Sequence, residues 1–148
     1  MAEFRIEEAG LGDLGAIRAL QGECFPEDEF GWIDLFFLLA FGDTVRLKAL
    51  DEQRRVVGFV AGDPQPHRGF AWIVTLGVLP EQRRRGLGER LLAACEVRLK
   101  EPRLRLFVRV GNLPAIALYH KAGYHEIRRE PRYYPGGEDG LLMEKVRQ

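Results

Sequence analysis

Between Val78 and Gly88 the chain reads Val-Leu-Pro-Glu-Gln-Arg-Arg-Arg-Gly-Leu-Gly, after a β-rich run and before a helix-periodic one. Glycines at 86 and 88 let backbone come close to a ligand. The helix start beyond them offers unpaired N–H groups and the positive end of a dipole. Arg83, Arg84 and Arg85 add charge. Together these make a pyrophosphate cradle built mostly from backbone, although an arginine run also suits a solvated face. No Gly-Lys-Ser/Thr follows, so this is not a Walker loop, and the third glycine of the dinucleotide fingerprint is missing. A second group lies downstream. Asn112 has the residue type of a helix N-cap, and Tyr119 stands seven positions on, nearly two helical turns away and facing the same way.

Other chemistries are excluded by residue type. The chain has no serine, which removes every serine-nucleophile mechanism. Cys24 and Cys95 form no CxxC, and His67, His120 and His125 lack zinc-ligand spacing, so neither a disulfide framework nor a metal site is expected. Lys and Arg total 22 against 22 Asp and Glu, which argues against a dedicated nucleic-acid binder. The longest apolar run, Leu35–Phe41, is far too short to span a membrane, and the acidic, charged start does not read as a signal peptide. The expectation is a soluble, cytoplasmic protein. Of the 22 basic residues, 18 are arginine.

The elements that must position these residues follow from pattern. At 148 residues, a single domain over 1–148 buries about two-thirds of its unfolded surface. Phe4–Glu7 reads as a strand. Asp13 can cap a helix through Ile17 and Leu20, and Asp28 or Glu29 can start a second that ends at Phe41 before Gly42. Val45–Leu50 and Val56–Ala61 form a hairpin across Asp51–Arg54, and Gly69–Val78 is a further strand. Arg84 to Lys100 carries Leu87, Leu91, Leu92, Cys95 and Leu99 at helical spacing, with Cys95 on the buried face. Leu104–Val110 alternates with arginine as a strand does. Asn112–Ala122 is a short helix with Pro114 in its first turn. Tyr124–Glu130 and Gly140–Val146 close the chain as paired strands.

Two spaced motifs carry a resemblance. Arg83-x-x-Gly86-x-Gly88 after Val78-x-Pro80 resembles the acetyl-CoA loop of the GNAT N-acetyltransferases. Asn112-x-x-Ala115-x-x-Leu118-Tyr119-x-Lys121-x-Gly123-Tyr124 resembles their second signature. The resemblance covers roughly residues 70–125. It implies an α/β (α+β) fold with a central mixed, mostly antiparallel sheet of six to seven strands flanked by about four helices. It implies acetyl-CoA as acetyl donor. Arg83, Arg84, Arg85, Gly86, Leu87 and Gly88 would hold the pyrophosphate, and Leu76, Gly77 and Val78 would offer backbone to the pantetheine arm. The cofactor would enter where the strand carrying Val78 splays from the one ending near Val110. Asn112 would lie near the cofactor arm and Tyr119 would protonate the leaving thiolate. Direct transfer leaves Cys24 and Cys95 without a chemical role.

One departure stands out. Many relatives carry a proton acceptor five residues before the motif asparagine, where this chain has Phe107. The pair Phe25-Pro26 and the stretch Tyr133-Tyr134-Pro135-Gly136-Gly137-Glu138-Asp139, with Met143 after it, resemble the ribosomal-protein and protein N-terminal acetyltransferase branch. There the two loops flank a peptide's first residues. The implied substrate is a protein or peptide N-terminal α-amine, handled by a monomer or homodimer without nucleic acid or membrane. A small amine such as a polyamine, amino acid or aminoglycoside, or a catalytically weak acetyl-CoA-binding module, remain the alternatives. Water relayed to Glu29, His67 or Glu138 is the candidate base.

Overall fold

Glycine falls twice on one face of the longest strand, Val56–Gln65, at Gly58 and Gly62, while Phe59 and Ala61 point the other way. Strand side chains alternate between faces, so this strand presents two different surfaces. The computed structural model describes residues 3–26, 32–40 and 42–148, and shows what each surface meets. In chain order the elements are β1 (Arg5–Glu8), α1 (Leu14–Cys24), α2 (Trp32–Ala40), β2 (Val45–Leu50), β3 (Val56–Gln65) and β4 (Phe70–Val78). There follow α3 (Leu87–Arg98), β5 (Arg103–Arg109), α4 (Leu113–Lys121), β6 (His125–Glu130) and β7 (Gly140–Val146). The strand order is β1-β2-β3-β4-β5-β7-β6. β1, β2 and β3 pair antiparallel, β4 pairs β5 in parallel, and β7 pairs both β5 and β6 antiparallel. This is the mixed, mostly antiparallel seven-stranded arrangement with four helices that the motifs imply. The chain forms two compact units, Met1–Asp63 with Val74–Lys100, and Pro64–Ile73 with Glu101–Gln148.

In the first unit, Phe59 and Ala61 pack with Ile17, Leu20, Leu35 and Leu39 of α1 and α2. The glycine face receives α3. A Cβ at Gly58 would stand 2.7 Å from Leu91, and one at Gly62 would stand 2.9 Å from both Cys95 and Leu99. Leu91, Cys95 and Leu99 recur every four residues, one stripe of a helix. The missing β-carbons thus let this stripe lie directly on the strand. Cys95 is fully buried, as its spacing predicts.

In the second unit β5 alternates strictly. Leu104, Leu106 and Val108 are buried, with Tyr124 and Met143 in the same unit's interior, while Arg105, Phe107 and Arg109 are half-buried. Arg103 and Arg105 both donate to Glu144 of β7, at 2.9 and 2.7 Å. The parallel register of β4 on β5 runs Phe70↔Arg103, Ala71↔Leu104 and Trp72↔Arg105.

The structure departs from the sequence expectation at the start of the long helix and in the role of Asp13. The long helix starts at Leu87 and not at Arg84, because Arg84 (φ 67°) and Gly86 (φ 77°) are left-handed. Asp13 precedes α1, but its carboxylate turns back to accept from Gly10 N–H at 2.9 Å and from Lys48 Nζ at 2.8 Å. The expected start of the second helix at Asp28 or Glu29, and its end at Phe41, lie outside the described residues.

The fit of α3 on β3 is directly testable. Gly62→Val is expected to destabilise the protein by about 1–3 kcal/mol through overpacking. Urea unfolding followed by circular dichroism checks this, and an unchanged midpoint would show that α3 does not depend on the glycine face.

Candidate active site

In the first unit the loop after β4 is a short 3-10 turn, Pro80–Gln82, followed by the arginine run. Two left-handed residues within three, Arg84 and Gly86, turn the chain into α3. The helix ladder opens with Arg90 N–H on Gly86 O at 3.1 Å, which leaves the earlier N–H groups of the first turn to partners outside the helix. A Cβ placed on Gly86 would meet nothing within 4 Å, so the space over the helix start is open. Arg84, Arg85 and Gly86 are exposed and Gly88 is half-buried. The Leu87 side chain is core, which leaves only its backbone for a ligand. This arrangement fits an anion held by backbone amides at the positive end of a helix.

Arg83 behaves differently from its two neighbours. Its Nε donates to Val78 O at 3.0 Å, and its guanidinium also hydrogen-bonds the Cys24 thiol. It therefore fastens the end of β4 to the end of α1. Cys24 and Phe25 pack on the same strand, where a Cβ at Gly77 would stand 3.2 Å from each. Gln21, buried on α1, donates to Thr75 Oγ1 at 3.3 Å. Gly77 and Val78 are buried, Leu76 and Phe25 are half-buried, and Pro26 is exposed. Burial pushes the Cys24 thiol above its ordinary value, an effect the Arg83 guanidinium partly opposes.

In the second unit Asn112 caps α4, its Oδ1 accepting from Ala115 N–H at 3.3 Å with Pro114 in the first turn. That capping bond holds its side chain against its own helix, whatever else it touches. Tyr119 is 8% exposed and meets Tyr124 edge-on, with ring centroids 5.8 Å apart. Burial alone pushes its phenol up to about 12, so it holds its proton throughout the neutral range.

A row of aromatic rings, unanticipated from sequence, crosses the Arg105–Phe107–Arg109 face of β5. Trp72 stacks on Phe107 at 5.8 Å, and Phe107 stacks on Tyr133 at 4.0 Å, with interplanar angles of 20° and 14°. Tyr134 meets Tyr133 edge-on at 4.9 Å. Arg105 lies over Phe70 and Arg109 over Tyr134, at 4.5 and 4.4 Å. Tyr133 can lie flat because Gly140 has no side chain: a Cβ there would be 2.9 Å from the ring. Tyr133 nevertheless keeps 46% of its surface exposed. Glu138, named above as a candidate base, is held by Arg109 at 2.8 Å and by Gly111 N–H at 2.9 Å. Those two donors hold its carboxyl below the usual carboxylate range, which makes it a poor proton acceptor. Of the other two candidates, Glu29 lies outside the described residues, and His67 sits in the 3-10 turn Pro66–Arg68.

Burial and the Arg83 contact act on the reactivity of that thiol in opposite directions, burial the more strongly. Alkylation of Cys24 by iodoacetamide is expected to rise only at pH above that of a free cysteine. Arg83→Ala should move the rise higher still, because removing the cation removes the opposing influence. A shift to lower pH in that variant would show that Arg83 does not act on the thiol.

The residues 14–124 match the model of the acetyltransferase (GNAT) family. An N-alpha-acetyltransferase of Sulfurisphaera tokodaii is 31% identical over 95% of this chain and 92% of its own length. NAA60 of Arabidopsis thaliana, in complex with a bisubstrate analogue, superposes with a TM-score of 0.86 at 20% identity, covering 99% of this chain and all of that one. Nourseothricin acetyltransferase superposes at 0.78 and 20% identity, over 98% and 99% of the two chains, so the fold alone does not select the amine. The loop with its open helix start, the capped helix carrying Tyr119 and the family match over three-quarters of the chain agree. This chain belongs to the GNAT acetyltransferase family and is an acyltransferase that draws its acetyl group from acetyl-CoA.

Proposed function

We propose that the chain acetylates the N-terminal α-amine of a protein or peptide. The observation that carries this reading is Phe107. At the strand position where many relatives place a proton acceptor, this chain has a ring stacked between Trp72 and Tyr133. Without an acceptor there, the amine must arrive partly neutral. An α-amine with pKa about 7.7–8.0 is on the order of a tenth neutral at pH 7, whereas a lysine amine near 10.4 is less than about a thousandth neutral. The full-length relative named an N-alpha-acetyltransferase supports the same choice.

Acetyl-CoA supplies the reactive acyl thioester. The amides at the start of α3, with Arg84, Arg85, Gly86 and Gly88, would hold its pyrophosphate, and the backbone of Leu76–Val78 would offer polar groups to its pantetheine arm. Tyr119 holds a proton at Oη for the leaving sulfur. With a phenol near 12, it acts as a neutral hydrogen-bond donor to developing negative charge and does not ionise on its own. Phe25, Pro26, Tyr133 and Tyr134 are the residues proposed for the amine side.

Mass-spectrometric assay against peptides with varied first residues, beside a panel of lysine peptides and small amines, tests the substrate. Exclusive turnover of small amines would overturn the peptide reading. Gly86→Glu is expected to weaken CoA binding at least about tenfold, by placing a carboxylate where phosphate sits. Calorimetry on the folded variant checks this.

Tyr119→Phe is expected to keep CoA affinity and to lower kcat by about 10²-fold or more. In the wild type, rate should rise with pH as the amine deprotonates, level off near pH 8–9, and stay level until Tyr119 itself ionises near 12. An alkaline loss centred well below that, in a protein still folded, would remove Tyr119 as the donor.

A further inference from the structure

We propose that Glu138 is a positioning residue for the amine site, fixing the Tyr133–Tyr134 pair against the turn that starts α4. The inference rests on the reading of those tyrosines as the amine-side pair. One carboxylate oxygen of Glu138 accepts from Arg109 Nη1 at 2.8 Å, at the end of β5. The other accepts from Gly111 N–H at 2.9 Å, in the turn just before the Asn112 cap. Through its own backbone the same residue closes the tyrosine loop, since Tyr134 N–H donates to Glu138 O at 3.1 Å and Gly137 N–H to Tyr134 O at 3.0 Å. Arg109, while paired with Glu138, lies over the Tyr134 ring.

The Asp139 carboxylate does a different job beside it, while its backbone oxygen accepts from Val110 N–H at 3.2 Å, just beyond β5. The carboxylate accepts from Arg129 Nε and from Arg132 N–H, at 2.6 and 3.0 Å, and so ties the loop to β6 and to its own first residues. Glu138 ties it across to β5 and the start of α4. Gly111 makes the second contact possible, because a Cβ there would be 2.7 Å from the Glu138 carboxylate. Charge-assisted bonds of this kind are worth roughly twice a neutral one. A nine-residue loop held in place beforehand loses less freedom when substrate binds. The clamp therefore acts on peptide binding.

Two substitutions attack the same contact from opposite sides. Glu138→Gln removes the charge and keeps the shape, while Gly111→Ala pushes the carboxylate off its amide. Each is expected to raise the peptide KM about tenfold, with kcat and the acetyl-CoA KM within about twofold of wild type. The double variant should be no worse than the worse single one, because both remove one interaction. Hydrogen exchange on the intact chain should quicken at residues 111–113 and 131–139 and stay unchanged in α3. Additive effects on KM, a parallel rise in acetyl-CoA KM, or unchanged exchange at the loop would each overturn the proposal. If the wild type acetylates no peptide, the amine-site reading fails. The exchange measurement then decides the clamp by itself: faster exchange confined to those two segments keeps it, and unchanged exchange removes it.

Discussion

The pleat of β5 sets the terms for the second unit. Successive side chains must point to opposite faces, so a strand that buries Leu104, Leu106 and Val108 is obliged to present Arg105, Phe107 and Arg109 together on the other. That second face is where the ring of Trp72, the flattened Tyr133 and the Arg109–Glu138 pair assemble. A one-residue slip in register would bury three bulky residues and expose the core. The antiparallel register with β7, Leu106 opposite Met143 and Phe107 opposite Leu142, works against that slip. The chemistry of this unit is thus tied to the same alternation that gives it an interior.

Burial and charge are used differently in the two units. Tyr119 is buried, and burial is what keeps the proton of its phenol in place. Cys24 is partly buried beside Arg83, and the two influences oppose each other. Glu138 is about one-third exposed and doubly hydrogen-bonded, so its carboxylate serves structure. Proton-holding and proton-refusing groups therefore differ by surroundings more than by residue type.

Much of this was legible in the residues. The Gly86 and Gly88 spacing, the four-residue stripe of α3, the arginine alternation of β5, the Asn112 cap with Pro114, and the paired closing strands all stand where local pattern places them. Those features depend on neighbours in sequence. What was hidden depends on partners far along the chain. Nothing in the run Arg83-Arg84-Arg85 says that the first guanidinium, though exposed, reaches back to Val78 and Cys24 while the second residue takes a left-handed backbone. Phe107 read as a missing base. Its place in a stack needs Trp72 from one strand, Tyr133 from a loop, and a glycine at 140 that leaves room for the ring. Glu138 read as a base candidate because a carboxylate in a loop looks free until Arg109 and Gly111 are brought to it.

Four ion pairs of the second unit are built on guanidinium. Arg103 and Arg105 on Glu144, Arg109 on Glu138 and Arg129 on Asp139 are all arginine, and the whole chain has only four lysines. One of the four, Lys48, is largely shielded in its pair with Asp13. A guanidinium stays charged at any ordinary pH and offers no neutral nitrogen to an acyl donor, whereas a lysine amine does. A protein that works with a reactive thioester is exposed to stray self-modification. Here the four arginines just named are ones that an acetyl group cannot readily neutralise, so those ion pairs keep their charge in the presence of the co-substrate.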